Sequence, residues 1–184
     1  MNLANKISIT RILMVPIFMV LMSLYFDGRF SFAIYLAIAV FIAASATDSV
    51  DGYIARKYNM VTDFGKFIDP LADKLLITAA IIYLVAFGLS PAWVAVIIIS
   101  REFIVTALRS VAAAKGQVIA ASNLGKIKTI VQMVGIVALL LIMPKSFGMG
   151  RMYIYIINFA ITVITVWSGV DYIVKHWSMI SETK

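Results

Sequence analysis

Ala46-Thr47-Asp48-Ser49-Val50-Asp51-Gly52-Tyr53-Ile54-Ala55-Arg56 and, five residues on, Thr62-Asp63-Phe64-Gly65-Lys66-Phe67-Ile68-Asp69-Pro70-Leu71-Ala72-Asp73-Lys74 straddle the junction of two apolar runs, 32–55 and 70–87. These two stretches hold five of the nine acidic residues. Four further apolar runs lie outside them, at 7–26, 92–114, 124–143 and 152–174, divided by Asp27-Gly28, Gly88, Gly116 and the Gly148/Gly150 pair. Crossing a bilayer takes about 20 predominantly apolar residues. The pattern therefore predicts an all-α integral membrane protein of six transmembrane helices. Composition agrees: 62% of the 184 residues are hydrophobic and 14% charged, against roughly 45–50% and 25% in soluble domains. Six spans leave only short connections, so 1–184 reads as one membrane domain.

An even number of spans puts both termini on one side. With that side cytoplasmic, Lys6, Arg11, Arg56, Lys57, Lys66, Lys74, Arg101, Arg109, Lys115, Lys126, Lys128, Lys175 and Lys184 fall inside, and only Arg29, Lys145 and Arg151 outside. That bias accounts for most of the net charge of +7. The basic residues form no tract or stripe of the kind nucleic acid requires, which excludes that partner class. Lys6 and Arg11 before an apolar stretch resemble a signal peptide, but no small-residue cleavage site follows, so the segment is expected to stay as the first span. Cysteine is absent. Disulfides, thiolate metal sites and thiol nucleophiles are thereby excluded. Trp93, Trp167 and Trp177, with Tyr25 and Tyr172, fall toward span ends as headgroup-layer anchors, and His176, the sole histidine, reads as interfacial. Long polar connections inside and short ones outside place an active site on the cytoplasmic face of the membrane.

Asp48 and Asp51 stand at i, i+3 near the inner end of the second span, on one helix face. Asp69 and Asp73 stand at i, i+4 where the third span begins, with Asp69-Pro70 in the pattern of an N-cap and a first-turn proline. Two facing helix ends then offer four carboxylates to one pocket. Like charges raise one another's pKa, and each ionised group in the membrane costs roughly 2.5–3.5 kcal/mol. A bound cation is required. Oxygen-only ligation favours Mg²⁺ or Mn²⁺, and two such ions about 3.5–4 Å apart would clamp the attacking and leaving oxygens of a phosphoryl-type displacement. Gly52 and Gly65 let a ligand approach the backbone, Arg56 suits a diphosphate, and Ala39, Ala43, Thr47 and Ala55 line the stripe that holds Asp51, allowing close packing. Asp63 reads as a solvated charge or cap.

The eight positions Asp48, Asp51, Gly52, Ala55, Arg56, Gly65, Asp69 and Asp73 reproduce D-x-x-D-G-x-x-A-R-x(8)-G-x-x-x-D-x-x-x-D without substitution. The chain thereby resembles the CDP-alcohol phosphotransferases along essentially its whole length. A chance match has a probability on the order of 10⁻¹⁰ per start. The resemblance implies that Asp48, Asp51, Asp69 and Asp73 hold two divalent ions, with Asp73 also the general base. It further implies that Asn5, Ser8, Gly52, Ala55, Arg56, Thr62 and Gly65 face the nucleotide and diphosphate of CDP-diacylglycerol, and that the protein is a homodimer.

The signature fixes the donor and leaves the acceptor open. Ser100-Arg101-Glu102-Phe103 through Arg109 and Gly125-Lys126-Ile127-Lys128-Thr129 resemble the bacterial members whose acceptor is sn-glycerol 3-phosphate. Arg101, Arg109 and Lys126 are then the expected ligands of the acceptor phosphate, snorkelling to lipid phosphate being their other reading. Other acceptors (serine, an inositol phosphate, phosphatidylglycerol), a cation transporter and a non-catalytic scaffold stay open as alternatives.

Overall fold

The computed structural model describes residues 3–57, 63–114, 122–143 and 151–177, with the side chains of 3–8, 48–57, 63–70, 72, 73 and 114 outside that description. Its order is α1 (Leu3–Phe26), α2 (Ala33–Lys57), α3 (Asp63–Ala86), α4 (Ala92–Ala114), α5 (Asn123–Ile142) and α6 (Met152–Lys175). Every described element is helical. Among the described residues, three helices are long and apolar enough to cross a membrane, at Ile9–Phe26, Asn123–Ile142 and Met152–Lys175. The apolar stretches Ala33–Thr47 and Lys74–Ala86 are shorter, and α4 carries Arg101, Glu102 and Arg109 inside its length.

Many large apolar side chains face outward. Val20, Trp93, Val134, Phe159, Trp167 and Val174 are all more than half exposed. In water a surface of this kind would drive association; a lipid surround removes that penalty. The buried side is continuous: α1 packs on α2 and α3, α5 on α6, α4 on α6, and α5 returns to touch α2 and α3. Phe18 of α1 meets Phe41 of α2 and Tyr83 of α3 at ring-centroid distances of 6.0 and 6.3 Å. Tyr83 donates its hydroxyl to the Met19 carbonyl at 2.9 Å. Asn158 of α6, buried, accepts from Ser90 at 2.7 Å and donates to the Leu89 carbonyl at 2.8 Å, tying α6 to the α3–α4 turn.

The α1–α2 and α3–α4 turns are each closed by glycine. Gly28 (φ 68°) and Gly88 (φ 70°) occupy the left-handed region. Leu89 N–H reaches back to the Leu84 carbonyl at 2.9 Å and Gly88 N–H to that of Val85 at 2.9 Å, the six-to-one and five-to-two bonds of a Schellman ending. Gly28 and Arg29 close α1 in the same way.

The third helix departs from expectation. It begins at Asp63, not at Pro70, so Asp69-Pro70 lies inside it and Asp69 is no N-cap. An acidic first residue suits the positive end of a helix dipole, and residues 64–69 contain no strong helix breaker other than Gly65. Pro70 forfeits one backbone bond, to the Lys66 carbonyl. Membrane helices tolerate that loss where water or neighbours meet the freed carbonyl; α1 carries Pro16 in its interior likewise. Residues 58–62 separate the described parts of α2 and α3.

Where α5 crosses α6, Gly135 stands against Ile161. A Cβ at position 135 would come within 2.5 Å of Ile161 Cδ1, 2.9 Å of its Cγ1 and 3.3 Å of Ile157 Cγ2. Gly135→Ala is accordingly expected to destabilise the protein by about 1–3 kcal/mol through overpacking, read as a lower unfolding temperature in detergent. An unchanged midpoint would contradict this close approach.

Candidate active site

Chain connectivity decides which functional residues share an end of the bundle. Residues 58–62 can reach at most about 20 Å, whereas the 24 residues of α3 span about 36 Å. The end of α2 and the beginning of α3 therefore lie together. By the same reasoning the 87–91 turn is at the far end, α4 runs back, and α5 starts at the near end, capped by Ser122, whose Oγ accepts from Gly125 N–H at 3.0 Å. Asp48 and Asp51 are one turn apart in the last part of α2, and Asp69 and Asp73 one turn apart in the first half of α3. The backbones of Gly52, Ala55 and Arg56 continue α2, that of Gly65 lies in α3, and those of Asn5 and Ser8 lie in α1. The side chains at these positions, and Thr62 altogether, lie outside the described residues.

The second group of predicted residues is described in full. Arg101 of α4, with 12% of its side chain exposed, donates from Nη2 to Ser168 Oγ of α6 at 2.9 Å and pairs through Nη1 with Glu102 Oε1 at 3.3 Å. The same Glu102 oxygen receives the ammonium of Lys128 of α5, whose side chain is 2% exposed. Gly169 makes room for the arginine, and Gly125 for the Ser122 cap. A Cβ at 169 would stand 3.2 Å from Arg101 Cγ, and one at 125 would stand 3.8 Å from Nη2 and 3.2 Å from Ser122 Oγ. Three helices so converge on one largely buried cluster, in which the Glu102 carboxylate meets both Arg101 and Lys128. Arginine and lysine side chains drawn into a low-dielectric interior are groups that can take an anionic ligand.

Arg109 and Lys126 do not join this cluster. Arg109 stands two turns further along α4, about 12 Å, where its Nε donates to Tyr172 OH at 3.2 Å and its guanidinium lies 5.7 Å from the Tyr172 ring centroid. His176 stacks on the same ring at 4.5 Å, its Nδ1 2.8 Å from the Tyr172 carbonyl oxygen. Lys126 is exposed, on the side of α5 that carries exposed Ile130 and Val134. The buried cation of Gly125-Lys126-Ile127-Lys128 is Lys128. Its signal was available in the sequence: Lys128, Gln132, Gly135 and Leu139 recur at helical spacing as one stripe, and Lys126 falls off it. Ser168 carried no sequence mark, and Tyr172, one turn on along α6 and expected as a headgroup-layer anchor, is instead buried beneath Arg109 and His176.

A family profile described as CDP-alcohol phosphatidyltransferase matches residues 1–170. The chain belongs to the CDP-alcohol phosphatidyltransferase family. A Bacillus subtilis protein named CDP-diacylglycerol–glycerol-3-phosphate 3-phosphatidyltransferase is 50% identical, over 96% of this chain and 95% of its own length. A Mycobacterium tuberculosis protein named probable phosphatidylglycerophosphate synthase is 43% identical, over 95% and 81%. A Rickettsia felis 3-phosphatidyltransferase with the same name as the B. subtilis relative is 38% identical over 93% of each chain.

CDP-alcohol phosphatidyltransferases use divalent metal ions. The donors present suit them: four aspartates lie on two helix ends that the 58–62 link holds together, cysteine is absent, and the one histidine sits at the end of α6 against Tyr172. An all-oxygen donor set of this kind selects hard cations.

Proposed function

We propose that this membrane protein transfers the phosphatidyl group of CDP-diacylglycerol to sn-glycerol 3-phosphate, giving phosphatidylglycerol phosphate and CMP. The observation that carries this reading is the 50% identity, across 96% of the chain, to a relative named for that reaction. The unbroken aspartate signature adds the donor chemistry, and the Arg101 and Lys128 cations beside Glu102 support a site for the acceptor phosphate.

In the reaction the primary hydroxyl of glycerol 3-phosphate attacks the phosphorus that bears the diacylglycerol. The new P–O bond forms as the diphosphate bridge breaks, CMP departs with the bridging oxygen, and the hydroxyl proton passes to the Asp73 carboxylate. Asp48, Asp51, Asp69 and Asp73 would hold two divalent ions, Mg²⁺ or Mn²⁺, which when bound neutralise the diphosphate and the leaving CMP. Asn5, Ser8, Gly52, Ala55, Arg56, Thr62 and Gly65 orient the nucleotide and diphosphate, and Arg101 with Lys128 orients the acceptor. Orientation alone supplies much of the acceleration in such a two-substrate displacement. In this reading Arg109, held by Tyr172, and exposed Lys126 act at the entrance to the site, attracting the anionic acceptor. The whole chain is one catalytic domain of six transmembrane helices in the cytoplasmic membrane, with both termini and the active site on the cytoplasmic side, working as a homodimer.

An acceptor panel tests the proposal. Purified protein supplied with CDP-diacylglycerol and Mg²⁺ or Mn²⁺ is expected to release CMP with glycerol 3-phosphate and not with serine, inositol phosphate or phosphatidylglycerol. CMP release with serine and none with glycerol 3-phosphate would overturn it.

A further inference from the structure

The interior next to the cationic cluster holds polar atoms with nothing to bond. Gln132 of α5 is fully buried, and neither its Oε1 nor its Nε2 has a hydrogen-bond partner. Ser45 Oγ of α2, buried as an atom, is likewise without one. Ser45 lies one turn before Asp48, Gln132 one turn after Lys128, and α2 and α5 pack against each other. Buried amides are almost always hydrogen-bonded in native proteins, and a primary amide alone, with both of its ends unmet, points to a species that binds there.

Position narrows what that species is. Gln132 shares its helix face with Lys128 and stands about 6 Å deeper along the axis, as α5 runs inward from the end of the bundle where the aspartates lie. An acceptor whose phosphate is held at Arg101 and Lys128 extends its carbon chain past that face. Glycerol 3-phosphate presents there the secondary hydroxyl that does not react. A hydroxyl has one proton to donate and lone pairs to accept with, and a glutamine amide has the complementary carbonyl oxygen and N–H groups. We infer that Gln132 is the specificity-determining residue for the acceptor, its amide binding the spectator 2-hydroxyl of glycerol 3-phosphate. This rests on the proposed acceptor. The consequence is discrimination: a site built to hydrogen-bond a hydroxyl rejects the analogue that lacks it, because its own polar groups are then left unmet.

The test uses the full-length protein and two acceptors, glycerol 3-phosphate and 3-hydroxypropyl phosphate, which keeps the phosphate and the primary hydroxyl and lacks the secondary one. The wild-type protein is expected to favour glycerol 3-phosphate by about 10- to 100-fold in kcat/KM. Gln132→Met, close in shape and without hydrogen-bonding ends, is expected to bring that ratio to within about threefold of one by losing activity on glycerol 3-phosphate alone, with the KM for CDP-diacylglycerol unchanged. The ratio is taken on one preparation, so the fraction of folded protein cancels. Gln132→Asn, which withdraws the amide by one methylene, lowers the same ratio and serves if the methionine variant does not fold. A wild-type ratio near one, or an unchanged ratio in the variants, overturns the inference alone. Absence of turnover with glycerol 3-phosphate in the wild type overturns it together with the proposed acceptor.

Discussion

Asp73→Asn is expected to lower turnover of CDP-diacylglycerol by at least about 10³-fold while the protein still inserts and folds. A positioned general base is worth roughly 10²–10⁴, and the same change removes one negative charge from the set that would hold the divalent ions. Asparagine matches aspartate in shape, and position 73 lies well inside α3, so the helix has no reason to change. CMP release under saturating acceptor, alongside the unfolding temperature in detergent, separates the two effects. Activity within tenfold of wild type would remove Asp73 from the role of base.

Glu102→Leu is expected to produce the largest loss of stability among single changes in the described site. The Glu102 carboxylate holds both Arg101 and Lys128, whose side chains are 12% and 2% exposed. Removing the carboxylate takes one partner from each of these two cations, at about 3–5 kcal/mol. For a chain of this size, that lowers the unfolding midpoint on the order of 10 °C. The double variant Glu102→Leu/Lys128→Met, which also removes one of the two cations, is expected to recover part of the loss, since contacting residues do not add. A single variant as stable as wild type would mean that the Glu102 carboxylate adds no net stability to the cluster.

How far the sequence reached depended on the kind of signal. The α4 boundaries, Ala92 and Ala114, follow from where apolarity starts and stops, and Gly28 and Gly88 marked helix ends because only glycine takes the left-handed conformation there without strain. The start of α3 was misplaced because hydropathy is blind to a polar helical turn, and proline was read as a boundary where it is an interior residue. At the site, the spacing of the aspartates on two helices was legible, since i, i+3 and i, i+4 are properties of one helix. The cationic cluster was only half legible. Arg101 was singled out, but its companions Glu102, Lys128 and Ser168 come from three helices, and only packing determines that Lys128 turns inward while Lys126 faces out. Arg109 was grouped with Arg101 by charge; the rise of the helix sets it two turns away, against Tyr172.

The most direct measurement supplies the purified protein with CDP-diacylglycerol and glycerol 3-phosphate carrying ³²P, and follows both the lipid phase and free CMP. The expected result is label entering a lipid with two phosphates, one CMP appearing for each labelled lipid, and neither forming when the divalent ion is chelated. CMP formed without labelled lipid, or no CMP at all with this acceptor, would contradict the account.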